Sequence, residues 1–340
     1  MEKTLKSGRR RCDRRQFLKT TAAAGVCTAG LAAIGLVGTK READRGRQGE
    51  RSPGEVAAIV LGSAQDGGVP HAGCRCAHCE AARRDPSLRR RSPCLALLHH
   101  DEHKVFLIDA GPDFPEQFEE LPADWRAGRN PVDGIFLSHA HIGHYAGLVH
   151  LGREVMSTSG LPVYCSERMA SFLRQNGPWS LLVELGNIEI RVIAPGQTVQ
   201  PAPGLSVKPL AVPHRAEFTD TLAFAVGGPN SRLLYLTDID RWEQLQPPIE
   251  ELVSGVDIAL LDGTFYSTEE LPGRDPAEVP HPPVAETVEL LGGIAESGAT
   301  RILFTHINHT NPLLDADGEL LRRLRGRGFD IAYDGLTLNL

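Results

Sequence analysis

Positive charge is scarce in most of this sequence, and where it is missing constrains the chain first. Residues 41–340 carry 27 Lys and Arg against 41 Asp and Glu, a net charge of −14. A body of that sign excludes a general nucleic-acid-binding surface. Cysteine is also sparse, seven in 340 residues, which excludes a small scaffold held together by disulfides. No G-x-G-x-x-G follows any apolar run, so LGSAQDGG near the start is not a dinucleotide fingerprint. There is no internal repeat and no low-complexity tract. At 41% hydrophobic and 23% charged residues, the chain is long enough to bury one large core.

The missing positive charge is gathered at one end. Residues 1–40 hold nine Lys and Arg and two acidic residues, net +7. They include Asp13-Arg14-Arg15-Gln16-Phe17-Leu18-Lys19, followed by an uncharged Ala/Gly/Thr-rich run over 20–39. The pair of arginines before a mildly apolar stretch resembles a twin-arginine export signal. Four glycines and few Leu or Ile make the run a poor membrane anchor. The expectation is therefore a periplasmic or exported protein that meets the twin-arginine machinery and keeps no stable membrane span after cleavage. Residues 41–55 read as a polar linker and residues 56–340 as one domain.

Within that domain, short β-branched runs alternate with helical stretches. Strands are expected at EVAAIVLGSA, CLALL, KVFLIDAG, GIFLSHA, LPVYC, IEIRVI, LSVKPLAV, TLAFAV, RLLYLTD, DIALLDG, RILFTHI and GLTLNL. Helices are expected over 144–155, 166–174, 241–253, 283–297 and 317–327. The strands bunch into meanders with helices between them, which predicts mixed sheets of an α/β class rather than a regular βαβ repeat.

The densest chemistry is LSHAHIGHYAGL, residues 137–148, with three histidines in six positions. His139 and His141, two apart on extended backbone, point to one side, and His144 falls on the first turn of the following helix. Three imidazoles converging above a strand end predict a metal site. His214, Asp238 and His306 also end apolar runs and are candidate ligands. Asp109, Glu217 and Asp220 could accept N–H bonds from ligand imidazoles. His309, three residues past His306, is a candidate proton donor. Residues 176–182 and 264–280 are candidate loops over the site. A second constellation, GCRCAHC, offers Cys74, Cys76 and Cys79 as three corners of a structural zinc site. His281 is the expected fourth ligand, with His71 and His78 as rivals.

The ordered series His-x-His-x-x-His, His, Asp, His resembles the metallo-β-lactamase superfamily. That resemblance implies an αββα sandwich with ligands at strand ends between two sheets. VLGSAQDGGVPHAGCRCAHC, LIDAGPDFPEQ, PHRAEFTDT, FTHINHTNP and AYDGLTLNL together resemble, more closely, the B-protein family of coenzyme PQQ (pyrroloquinoline quinone) synthesis. The superfamily pattern implies one metal on His139, His141 and His214, and a second on His144, His306 and a loop aspartate, with Asp238 reaching both. Position 143, where that aspartate stands, is Gly143. What remains is two histidines and one carboxylate, the donor set of non-haem Fe(II) oxygenases, so Fe2+ as well as Zn2+ is expected at the active site. Asp66, in the first glycine-rich loop, is a candidate replacement carboxylate. Asp238, His214 and His309 are the expected catalytic groups. The resemblance implies oxidative, hydroxylating chemistry on a small amino-acid-derived substrate. A zinc hydrolase of a phosphodiester, lactone or ester and a non-catalytic carrier of a small acidic metabolite are the alternatives.

Overall fold

The computed structural model describes residues 55–125, 130, 132–270 and 279–340. The basic end and most of the linker, 1–54, lie outside the described residues, as does part of the predicted loop 264–280. Two sheets of seven strands each form the centre of the described chain. The first joins β1 (Val56–Gly62), β2 (Cys94–His99), β3 (Lys104–Ile108), β4 (Gly134–Phe136), β5 (Leu161–Cys165) and β6 (Ile188–Val192), with the last strand, β14 (Thr337–Asn339), beside β1. The second joins β7 (Val199–Ala202), β8 (Leu205–Val212), β9 (Thr221–Gly227), β10 (Arg232–Leu236), β11 (Ile258–Asp262), β12 (Arg301–Thr305) and β13 (Phe329–Ile331).

Both sheets are mixed. β1 to β3 run as an antiparallel meander, while β3 to β6 pair in parallel through crossovers. The second sheet repeats this, antiparallel from β7 to β10 and parallel from β10 to β13. Central strands such as CLALLH and IALLD are buried along their whole length, as strands covered on both faces must be.

Side chains from the two sheets meet in one core that contains Leu95, Leu97, Phe136, Phe224, Val226, Leu233 and Tyr235. The outer face of the first sheet buries against α2 (Phe114–Glu119), α4 (Glu167–Gln175) and α5 (Trp179–Glu184). The outer face of the second buries against α6 (Ile249–Ser254), α7 (Val284–Ser297) and α8 (Glu319–Gly326). The result is the expected αββα sandwich. No helix of the described residues is long and apolar enough to cross a membrane.

The helices expected over 166–174, 283–297 and 317–327 appear as α4, α7 and α8, within a few residues at each end. Two others break. The helix expected over 144–155 is one short turn, α3 (Ile142–Tyr145), followed by 3-10 backbone over Ala146–Leu151. The one expected over 241–253 begins as a 3-10 turn and resumes only as α6, because Pro247 and Pro248 interrupt it. α1 (Ala77–Arg84) forms at the cysteine triplet, outside the five expected helices.

Candidate metal centre

The segments that leave five strands deliver polar side chains that converge. His139 and His141 follow β4, His214 follows β8, Asp238 follows β10, Asp262 ends β11 and His306 follows β12. His139, His144, His214, Asp238 and His306 are all buried. Asp109 and His306 hold positive φ, 66° and 58°, a conformation that costs a non-glycine residue energy and persists only where the surroundings impose it.

What surrounds each imidazole decides which nitrogen faces inward. Asp109 Oδ2 accepts from Ser138 Oγ at 2.9 Å and from His144 Nδ1 at 2.7 Å. With its own proton given to Asp109, Ser138 Oγ can only accept from His139 Nδ1, 2.9 Å away. Thr264 Oγ1 donates to Asp262 Oδ1 at 2.7 Å and so accepts from His306 Nδ1 at 2.8 Å. His214 Nδ1 donates to Asp240 Oδ1 at 2.8 Å, and His141 Nε2 to Glu217 Oε2 at 3.1 Å. Five imidazoles are therefore anchored by one nitrogen and turn the other to the centre.

Those inward nitrogens crowd together. His139 Nε2 lies 2.8 Å and His214 Nε2 lies 3.3 Å from His141 Nδ1. With Asp238 they form one group of donors that all lie within 4.8 Å of one another. Asp66, His144 and His306 form a second such group, and Asp238, His281 and His306 a third. Asp238 faces both sides: Oδ1 is 3.9 Å from His139 Nε2 and 3.7 Å from His214 Nε2, while Oδ2 is 3.4 Å from His144 Nε2 and Oδ1 is 3.4 Å from His306 Nε2. His144 Nε2, His306 Nε2 and Asp238 Oδ2 are buried with no hydrogen-bond partner. Buried donor atoms left unpaired this close together are costly unless a cation sits among them, so the donor set fits metal ions.

The charges follow. Burial opposes ionisation of Asp238, but His306, His144, His139 and His214 outweigh it and hold the carboxyl well below its usual range. Burial, with His144 next, drives His139 well below an ordinary imidazole, and His214 is lowered to about 4, also chiefly by burial. A neutral imidazole beside an ionised carboxylate is the state a metal requires.

Three sequence expectations need correction. His281 is not at the cysteines. It follows Pro280 beside β11, where its Nδ1 meets Asp262 Oδ2 at 2.6 Å, and its ring centroid is 5.7 Å from that of His306 and 5.3 Å from that of His214. His309 takes the place expected for it: Nδ1 is 3.4 Å from Cys74 Sγ and 3.6 Å from Cys76 Sγ, and the four side chains Cys74, Cys76, Cys79 and His309 converge. The loop after β12 turns back on itself, so residues 306 and 309 face different sites and His309 is no proton donor to the histidine centre. His71 and His78 do not complete the cysteine group; His78 Nδ1 meets the His309 carbonyl at 3.0 Å. Asp220 does not hold His214; it accepts from Ser166 Oγ, at the cap of α4. Asp240, two residues past Asp238, takes that role and was missed, as were Ser138, Thr264 and the Asp262–His281 pair. Asp240 and Asp262 each follow an apolar strand, a signal that residue type alone did not separate from turn caps.

Comparison with known proteins gives three kinds of likeness. A family model described as "Beta-lactamase superfamily domain" matches residues 104–307. Coenzyme PQQ synthesis protein B of Methylobacterium sp. (strain 4-46) is 28% identical over 305 residues, 83% of this chain and 99% of that protein. The protein of the same name from Methylococcus capsulatus is 29% identical over 308 residues, with the same coverage. Among solved structures, Zn(2+)-bound PqqB from Methylobacterium extorquens has a TM-score of 0.70 at 24% identity, over 84% of this chain and 100% of that one. A diphosphatase from the PhnP family has a TM-score of 0.60 at 26% identity, over 84% of this chain and 97% of that one.

Proposed function

We propose, for a chain that belongs to the beta-lactamase superfamily, that the histidine centre holds two metal ions and hydrolyses a small-molecule ester bearing an anionic group, of the phosphodiester kind. His139, His141, His214 and Asp238 would hold one ion; His144, His306 and the other side of Asp238 would hold the second. Ions so bound would act as Lewis acids and lower the pKa of water toward about 7. The donors' outer partners, Ser138, Glu217, Asp240, Asp109 and Thr264, keep the rings turned inward.

The observation that carries hydrolysis is His281. Burial works against its charge, but Asp262, in contact with its Nδ1, raises the pKa above that of a free imidazole. With its Nδ1 held by Asp262, the side chain stands beside Asp238 and His306, where a leaving oxygen needs a proton. Asp262 is itself fixed by Thr264 N at 3.0 Å and Ile239 N at 3.2 Å. Arg215, next to His214 and 4.0 Å from Glu217 through its Nη1, is the cation that would anchor the substrate's anionic group. The test is leaving-group dependence. His281→Ala should lower kcat on the order of 10²- to 10⁴-fold for an alkyl leaving group, and far less for p-nitrophenolate, which needs no proton. An equal loss on both would remove His281 from that role.

A second reading is oxidation, favoured by the likeness to PQQ synthesis protein B along 83% of this chain. It predicts dioxygen uptake by iron-loaded protein and none by zinc-loaded protein. We propose further that the cysteine group with His309 would hold a structural zinc and that residues 1–40 direct export.

A further inference from the structure

We infer that Asp66, on the loop after β1, supplies the carboxylate of the second metal position, and that Gly143 is the position whose missing side chain lets it in. The inference rests on the two-metal reading and deepens it. It concerns a residue 77 positions from Gly143 in sequence and outside the segment that the family model matches.

Asp66 Oδ1 lies 3.2 Å from His144 Nε2 and 3.6 Å from His306 Nε2, the two imidazole nitrogens that have no hydrogen-bond partner. With those two nitrogens it forms a compact donor group.

Space makes the relation reciprocal. A Cβ at position 143 would fall 2.3 Å from Asp66 Oδ1, 2.6 Å from its Cγ and 2.5 Å from its Cα. Contacts that short cannot exist, and one of them is to backbone, so rotating the Asp66 side chain would not relieve them. Any residue larger than glycine at 143 would evict Asp66. A carboxylate on the histidine loop and one on the β1 loop therefore exclude each other.

The β1 loop is also held where it must be. Gln65 N donates to Ile307 O at 3.0 Å and Ile307 N to Ser63 O at 2.9 Å, which ties Asp66 to the residue after His306. Ala64 N to Arg91 O at 2.9 Å and Val69 N to Arg90 O at 2.7 Å secure its two ends. Gly68, at φ +66°, makes the turn that brings the chain back. A ligand on a backbone bonded at both ends is preorganised and costs little to order when the metal binds.

The test is zinc titration of the full-length, metal-stripped protein by calorimetry, with elemental analysis of each variant as purified and the cysteine site as internal reference. Asp66→Ala, and Asp66→Asn with unchanged shape, should each lose one zinc per chain, or weaken that equivalent by at least the roughly tenfold to hundredfold that an outer partner of a ligand costs. Gly143→Ala should do the same although it removes no donor atom. Native stoichiometry and affinity in both Asp66 variants would overturn the assignment, and a native count in Gly143→Ala would overturn its steric half. A native chain with a single ion at the histidines would overturn the two-metal reading itself, visible before any substitution is made.

Discussion

At the scale of single residues, the centre is built by pairing each ligand with a group that settles its tautomer. Asp109, Asp240, Glu217, Thr264 and Ser138 do this for five imidazoles, and only Asp109 and Glu217 were legible in the sequence. Asp220 is closer to His214 along the chain and offers the same chemistry as Asp240, but it is Asp240 that meets His214 in space. A residue that is not among the ligands gives the cleanest pH dependence. Cys165, which ends β5, is fully buried, and burial pushes its thiol up to about 12 from 9.0. The folded chain then holds a proton that the unfolded chain has lost, so the stabilisation is complete below pH 9 and fades as pH rises toward 12. The stability advantage of the native chain over Cys165→Ala should shrink by about 1.4 kcal/mol by pH 10. Urea unfolding from pH 7 to 10 measures it, and a constant difference would mean the thiol titrates normally.

Among elements, the cysteine group matters because of what it joins. Cys74, Cys76 and Cys79 lead into and lie on α1, whereas His309 belongs to the loop after β12. An ion there would clip the segment between β1 and β2 to the loop that carries His306. Spacing exposed the three thiols, but the fourth ligand depends on which distant loop packs against α1, and His281 was the wrong choice for that reason. His309→Ala should lose one zinc per chain while the histidine centre keeps its own. Melting temperature should fall by roughly 2–4 °C for each kcal/mol of stability removed. Elemental analysis beside a thermal melt decides it; an unchanged zinc count would exclude His309 as a ligand.

For the whole molecule, charge is divided between a basic end and an acidic body, and only the second is described structurally. The paired arginines predict export. Replacing Arg14 and Arg15 together by Lys should leave the protein in the cytoplasmic fraction, with its metal content intact. Recovery in the periplasmic fraction at the native level would mean that these residues do not direct it.

The sandwich itself was readable because alternating apolar runs must be buried on both faces, which requires two sheets and outer helices, and because metal ligands at strand ends follow from that layout. Sequence determined the strands other than β7 and β13, the histidine loop and the cysteine triplet, since each is local and carries its own period or spacing. Tertiary structure alone decided which carboxylate meets which imidazole: that Asp262 reaches His281, that His309 turns from one site to the other, and that Asp66 stands in the space Gly143 leaves. Those relations depend on contacts across the sheets, between residues far apart along the chain, and no local pattern encodes them.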